Sequence, residues 1–226
     1  MAKRFLDIVI SLILILILSP VILLMSLVVA CDTGFPVFYR GLRVGRDGRI
    51  FDILKFRSMV ADSRQKGPGI TAGSDSRVTR SGGLLRKWKL DELPQFFNVL
   101  RGDMSLVGPR PEDLQYVKYY TEEEKKVLSV RPGITGVSQI LFRNEEQLLE
   151  VKNPEEYYIN CIMRQKLKLD LVYVQRQSLF LDLIMIIFTV LVVFLPKRGF
   201  VFCQNKLRKL LPADGVLDSK CQNCCM

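Results

Sequence analysis

Between residues 84 and 111 the chain reads LLRKWKLDELPQFFNVLRGDMSLVGPRP. The adjacent carboxylates Asp91 and Glu92 follow Arg86, Lys87 and Lys89, Asp103 stands alone further on, and Arg110 lies between Pro109 and Pro111. Neighbouring carboxylates among cations are what chemistry at a phosphate requires. The carboxylates can hold a divalent metal or attack phosphorus, and the cations neutralise charge that develops on oxygen. The plainer reading of such a run is a solvated, charged helix face. Three features oppose it. Asp91 comes just before Pro94, which fits only the first turn of a helix. The apolar run Phe96, Phe97, Val99, Leu100 stops at Gly102, a typical helix end. Pro109 and Pro111 fix the backbone on both sides of one guanidinium.

The elements around this stretch have to position it. Residues 36–57 predict a β-hairpin, with Val37-Phe38-Tyr39 and the run 50–54 as strands and Arg46-Asp47-Gly48-Arg49 as the turn. Lys55 and Arg57 continue the second strand. Residues 61–76 are rich in Gly, Ser and Asp and read as a surface loop or lid. Arg77 and Arg80 follow, and Ser81 is the expected N-cap of a helix over 82–89. After Pro111 the sequence predicts a polar helix over 112–120, then a capping box formed by Thr121 and Glu124. Arg131-Pro132-Gly133-Ile134-Thr135-Gly136 reads as a rigid loop carrying one cation. Asn153-Pro154 opens a long helix.

The chain of 226 residues is 49% hydrophobic, so some apolar sequence should face lipid. Residues 5–30 are apolar except for Asp7, Ser11, Ser19 and Ser26, and as a straight helix they would extend roughly 39 Å, enough to span a bilayer. The run is too long for a signal peptide, and Cys31 leaves a lipoprotein-type signal only as a minor reading. Ser19-Pro20 sits mid-run, where proline bends a helix. Positive charge flanks both ends, with Lys3 and Arg4 before and Arg40, Arg43, Arg46 and Arg49 after, so both flanks belong in the cytoplasm. A helix that enters, bends at Ser19-Pro20 and leaves on the same side satisfies both facts; a plain spanning anchor is the conservative alternative. The second apolar run, 179–195, reads as a helix lying against the membrane or under the domain, because crossing would carry Lys197, Arg198, Lys206, Arg208 and Lys209 to the wrong side.

The net charge of +10 suits nucleic acid, anionic lipid or phosphorylated substrates. The chain contains no histidine, which removes the commonest general base and metal ligand and leaves carboxylate, Lys, Tyr or Cys for any catalysis. The six cysteines show no disulfide framework, and Cys221, Cys224 and Cys225 read as a free-thiol tail.

Taken in order, these motifs resemble the bacterial sugar transferases, the monotopic phosphoglycosyl transferases that begin lipid-linked glycan assembly. The resemblance covers about residues 1–200. It is carried by Ser19-Pro20, Arg43-Val44-Gly45, Lys55-Phe56-Arg57-Ser58-Met59, Arg77-Val78-Thr79-Arg80, Leu90-Asp91-Glu92-Leu93-Pro94-Gln95, Gly102-Asp103-Met104-Ser105, Gly108-Pro109-Arg110-Pro111 and the loop from Arg131 to Gly136. It implies a mainly α fold with a small β-hairpin, a re-entrant membrane helix over 1–32, a cytoplasmic catalytic domain over 33–200, and a basic, cysteine-bearing tail over 201–226. It also implies that a UDP-sugar gives its phosphosugar to polyprenol phosphate with loss of UMP, at the cytoplasmic face of the bacterial inner membrane.

Carried onto this sequence, Asp91 becomes the nucleophile and Glu92, with Asp91, a ligand of Mg²⁺. Arg86 and Arg110 become phosphate contacts, and Lys55, Arg57, Arg77, Arg80 and Arg131 stand in second rank, some of them for the membrane surface. Expected partners are the UDP-sugar, the polyprenol phosphate and inner-membrane lipid; a homodimer is compatible with the sequence. Gly41 stands where the family usually carries Gln, and the short chain implies a minimal catalytic unit. The competing reading is a non-catalytic basic adaptor on anionic membranes, which needs no Asp-Glu pair. A lipid-diphosphate hydrolase would want a histidine, and a nucleic-acid binder does not account for the lipid-facing sequence.

Overall fold

Among lipid tails a backbone satisfies its own hydrogen bonds most simply as a helix. The computed structural model, which describes residues 2–61, 63, 69–71, 73 and 75–211, forms the N-terminal run into one helix, α1 (Ala2–Thr33), about 48 Å long at 1.5 Å per residue. Pro20 does not interrupt it. Proline has no N–H to offer the Leu16 carbonyl, and the Ser19 hydroxyl donates to that carbonyl at 2.8 Å. The Ser-Pro pair thus gives that carbonyl a replacement donor, and helical structure runs on through the position where the sequence predicts a bend.

Both ends of α1 dock on the rest of the chain. At the start, Lys3 donates to Asp182 at 2.5 Å and to the Val107 carbonyl at 3.0 Å, and Arg4 donates to the carbonyls of Val99 and Leu100. Asp7 is buried and accepts from the Ser105 hydroxyl at 2.9 Å and the Leu106 N–H at 3.1 Å. At the far end, Asp32 accepts from the Ser81 N–H at 3.0 Å and its hydroxyl at 2.6 Å, while Arg57 donates to the carbonyls of Thr33, Gly34 and Phe35. Between these anchors Leu12, Ile13, Leu16, Ile17, Leu23, Leu24 and Leu27 are exposed.

The hairpin forms as the sequence predicts. β1 (Phe38–Val44) pairs antiparallel with β2 (Ile50–Phe56), and the turn places Asp47 at φ 56° and Gly48 at φ 77°, residue types that tolerate the left-handed region. Gly41 lies within β1 opposite Ile53, and a Cβ there would come within 2.8 Å of the Tyr39 ring. A larger residue at position 41 would therefore displace the Tyr39 ring.

α2 (Arg80–Lys87) is capped by Thr79, whose hydroxyl accepts from the Gly82 N–H, and not by Ser81, whose groups are held by Asp32. α3 (Gln95–Arg101) ends on Gly102 at φ 94°, as expected. The following stretch forms β3 (Ser105–Val107), which pairs in parallel with β4 (Gly133–Thr135). A side chain on Gly108 would meet the Arg131 carbonyl at 2.4 Å, and one on Gly133 would meet the Gly108 nitrogen at 2.1 Å, so only glycine permits this approach. The polar helix expected over 112–120 shrinks to α4 (Leu114–Val117), because the Glu112 carbonyl is taken by the Val44 N–H and the Asp113 side chain caps the turn.

The remaining chain is helical: α5 (Val137–Leu141), α6 (Glu145–Leu148), α7 (Pro154–Tyr157), α8 (Met163–Gln175), α9 (Leu179–Phe194) and α10 (Arg198–Leu210). A wide turn at Tyr158–Ile162 joins α7 to α8 without a break. The main core sets Val99, Met104 and Val107 against Leu169, Met185 and Val192. α9 buries Leu181, Met185, Phe188 and Val192 and exposes Leu183, Ile187, Val190 and Phe194, so it lies under the domain with a second apolar face turned outward. The stretch from Val201, read from sequence as the start of the tail, is helix through Leu210, because Cys203, Leu207 and Leu211 fall on one face and enter the main core. Cys221, Cys224 and Cys225 lie outside the described residues.

Asp7→Ala should lower the unfolding free energy by about 1–3 kcal/mol, since it leaves the buried Leu106 N–H without its acceptor. Thermal unfolding in detergent, compared with Glu123→Ala at an exposed position, measures the difference.

Candidate active site

Asp91 and Glu92 lie in a short helical turn (Leu90–Glu92) between α2 and α3, entered through Lys89, which holds φ 58°. That left-handed residue swings the chain out of α2 and turns both carboxylates toward β2. Leu90 and Leu93, which flank the pair, pack on a small apolar cluster of Val29, Val37, Phe56 and Leu85, to which Ile22 and Met25 of α1 also contribute. The carboxylates therefore sit directly beside the C-terminal half of the long apolar helix.

Lys55 reaches Glu92 from β2 at 2.9 Å. Burial acts to raise the Glu92 carboxyl, but Lys55, Lys89 and Arg110 outweigh it and hold Glu92 well below the usual carboxylate range. Burial draws the Lys55 ammonium down against the pull of Glu92. The hydrogen-bond distance and the neighbouring cations favour the ionised pair. Asp91 behaves oppositely. Burial, with help from the charge of Glu92, pushes it up, and Lys55, Lys89 and Arg86 only partly offset this. Burial is the larger effect, so the net direction for Asp91 is upward. The Asp91 Oδ1 atom is buried without a hydrogen-bond partner among the described residues.

Arg110 follows β3. Burial would lower it, but Glu92, Glu145 and Glu112 surround it and hold its charge. Its guanidinium donates to no group among the described residues. Arg86 pairs with Glu146 at 2.5 Å.

The structure thus gathers Lys55, Arg86 and Arg110 around the dyad and places Arg57, Arg77, Arg80 and Arg131 elsewhere. Arg57 and Arg80 sit at the C-terminal end of α1, the first on backbone carbonyls and the second beside Asp32. Arg77 is held by Asp75 at 2.6 Å and by the Ser63 and Ile70 carbonyls, with Arg86 near enough to act on Asp75. Arg131 donates to the Gly102 carbonyl at 2.8 Å.

Sequence reasoning missed a buried polar network behind Arg110. Tyr158 donates to Glu112, Lys166 to Glu145 at 2.9 Å, and Lys166 also lies 5.1 Å from the centre of the Tyr158 ring. Asp170, one turn beyond Lys166, accepts from the Ser138 hydroxyl at 2.9 Å, and burial pushes its carboxyl up to about 7. The one available signal was charged residues at i and i+4 in an otherwise core-facing helix.

The geometry is that of a carboxylate and cation cluster built against a long apolar helix. The sequence profile described as Bacterial sugar transferase matches residues 1–196, and the chain belongs to that family. It is 37% identical over 191 residues to an Aeromonas hydrophila UDP-N-acetylgalactosamine-undecaprenyl-phosphate N-acetylgalactosaminephosphotransferase, covering 83% of this chain and 42% of the relative. It is 38% identical over 194 residues to the Caulobacter vibrioides UDP-glucose:undecaprenyl-phosphate glucose-1-phosphate transferase, covering 83% and 68%. It is also 38% identical over 188 residues to the Bacillus subtilis uncharacterized sugar transferase EpsL, covering 83% and 85%. The chain thus spans under half the length of the first relative and most of the third.

A raised folded-state carboxyl supports stability below its unfolded value, and that support is lost as pH rises toward the folded value. For Asp170 the window runs from the ordinary carboxylate value of 3.8 to about 7. Asp170→Asn should flatten this slope, so the variant should gain on the parent by up to about 3–4 kcal/mol across the window. Unfolding midpoints taken at several pH values in detergent measure it, and parallel curves for variant and parent would show that Asp170 is not the titrating group.

Proposed function

We propose that this protein moves a phosphosugar from a UDP-sugar to polyprenol phosphate, releasing UMP, at the cytoplasmic face of the bacterial inner membrane. The observation that carries the reading is Asp91: a buried carboxylate with an unpartnered oxygen, among Lys55, Lys89 and Arg86, in a turn whose flanking leucines pack near α1. A water-soluble donor can enter from the domain side, and a lipid phosphate can arrive along the apolar helix. The Aeromonas and Caulobacter relatives, named as sugar-phosphate transferases to undecaprenyl phosphate, support the same substrate pair.

In this reading an Asp91 oxygen attacks the sugar-bearing phosphorus. The new P–O bond forms as the bond to the UMP oxygen breaks, and UMP leaves with that electron pair. An oxygen of the polyprenol phosphate then attacks the same phosphorus, and Asp91 departs as a carboxylate. Asp91 has to attack in its charged form, which burial opposes, so the cations around it have a catalytic as well as a binding role. Arg110, whose guanidinium has no acceptor among the described residues, takes phosphate oxygens through two donors. Lys55 keeps Glu92 ionised and aimed at the same space.

Glu92 and Asp91 offer only oxygen donors, which suits Mg²⁺ with the diphosphate completing its shell. No group of three or more acidic, Cys or His side chains stands ready for a metal among the described residues, so substrate and water supply the rest. When bound, the ion would neutralise charge on the diphosphate. Turnover should cease in EDTA and return with added Mg²⁺; full activity in the chelator would remove the metal from the scheme.

α1 enters one leaflet and returns to the same side. Supporting this, Lys3, Arg4 and Asp7 at one end and Asp32 and Thr33 at the other bind the same body. A straight crossing would separate anchors that the domain holds together. With Ala2→Cys beside the native Cys31, a membrane-impermeant thiol reagent should label both positions from the cytoplasmic side only. Labelling from opposite sides would establish a spanning anchor.

The nucleophile is tested by a burst. The native enzyme should release UMP from the donor before any lipid is added, in roughly one equivalent per site. Asp91→Asn should abolish burst and turnover together. An Asn variant with near-native turnover, or a native enzyme without a burst, would exclude the covalent route.

A further inference from the structure

Away from the dyad, a cleft of about 400 Å³ opens between the hairpin turn and the end of α3, lined by Arg46, Arg49, Phe51, Asp103 and Arg131. None of the dyad residues lines it. Phe51 in the cleft and Lys55 at the dyad are four residues apart on β2, about 13 Å along an extended strand. Its cations are unequally committed. Arg46 is paired with Asp47 at 3.2 Å. Arg131 gives its Nε to the Gly102 carbonyl, and its two terminal nitrogens meet no acceptor among the described residues, as is true of the whole Arg49 guanidinium. Two carboxylates line the cleft: Asp47 is paired with Arg46, and Asp103, among the described residues, receives only a 3.3 Å bond from Asn98.

The cleft also has a defined position against the lipid-facing helix. Its wall includes Gly102, and a Cβ on that residue would lie 3.4 Å from the Arg4 guanidinium. Phe5, the next residue, is 68% exposed and begins the apolar surface of α1. The cleft therefore opens at the foot of α1.

We infer that this cleft is a second phosphate-binding site, for a phosphate ester that also carries a hydroxyl or ammonium group. Arg49 and Arg131 take the phosphate oxygens, and Asp103 takes the O–H or N–H donor. A bare anion would meet the Asp103 charge, and a bare cation would meet two guanidiniums, so a ligand with both features matches the lining. A membrane headgroup and a soluble phosphate ester both have this chemistry. The position at the foot of α1 favours the headgroup, and that preference rests on the reading that α1 lies in lipid.

The full-length protein in neutral detergent would be titrated with short-chain phosphatidylglycerol, phosphatidylethanolamine and phosphatidylcholine, and separately with glycerol phosphate, reading the thermal midpoint. The first two lipids should bind, and phosphatidylcholine, whose headgroup has no O–H or N–H donor, should bind several-fold more weakly. Arg46→Gln combined with Arg49→Gln, on the exposed turn where folding is safe, should weaken phosphatidylglycerol binding about ten-fold. Arg131→Gln should act in the same direction. Glycerol phosphate binding as tightly as the lipids would support the site and assign it to a soluble ester. Equal binding of all three lipids, or unchanged binding in the double variant, would overturn it. Flotation with neutral vesicles tests α1 separately, so a variant that floats but has lost phosphatidylglycerol binding fails at the cleft alone.

Discussion

The contact on which the site depends is the 2.9 Å ion pair between Lys55 and Glu92. It ties the hairpin to the turn between α2 and α3 and gives the two adjacent carboxylates different environments. Glu92 is held ionised, while its charge and the burial of the turn push Asp91 the other way. The two adjacent carboxylates are kept distinct by unequal environments: Lys55 bonds Glu92 directly, whereas burial is the larger effect on Asp91. The hairpin supplies that cation at a defined position because Asn98 of α3 bonds the β2 backbone at Leu54 and Asp52, immediately beside Lys55.

Arg110 reaches the same place by a different route. Its position follows from the parallel pairing of β3 with β4, which brings two glycine-bearing loops into backbone contact. Behind it the network of Glu112, Tyr158, Lys166 and Glu145 surrounds the guanidinium with negative charge that is itself hydrogen-bonded. A buried cation is costly unless it is compensated. Here the compensation comes from carboxylates around it, and its guanidinium N–H groups meet no acceptor among the described residues.

The apolar helix is joined to this arrangement at both ends by polar contacts and near its C-terminal half by apolar ones. The Asp7 and Lys3 contacts bind its first turns to β3 and α9, and Val29, Ile22 and Met25 meet the leucines beside the dyad. The exposed apolar surface of the helix and the carboxylate and cation cluster are therefore a few residues apart. The exposed outer face of α9 adds a second apolar surface to the same molecule.

Much of the local structure was legible in the sequence. The apolar run of α1, the Asp47-Gly48 turn, the Gly102 helix end and the reciprocal Thr121 and Glu124 bonds at 2.8 and 3.2 Å all rest on interactions within a few residues. The adjacency of Asp91 and Glu92 is itself a sequence fact. What the tertiary structure decided is which cations meet them. Lys55 and Arg110 arrive from distant segments, whereas Arg57, as prominent in sequence, is drawn to the end of α1, and Arg131 to the Gly102 carbonyl. Ser81, an equally good cap by composition, yields to Thr79 because Asp32 claims it. The reason is physical: residue type and short spacing determine local hydrogen bonding, but a charge finds its partner only after the elements carrying both have packed.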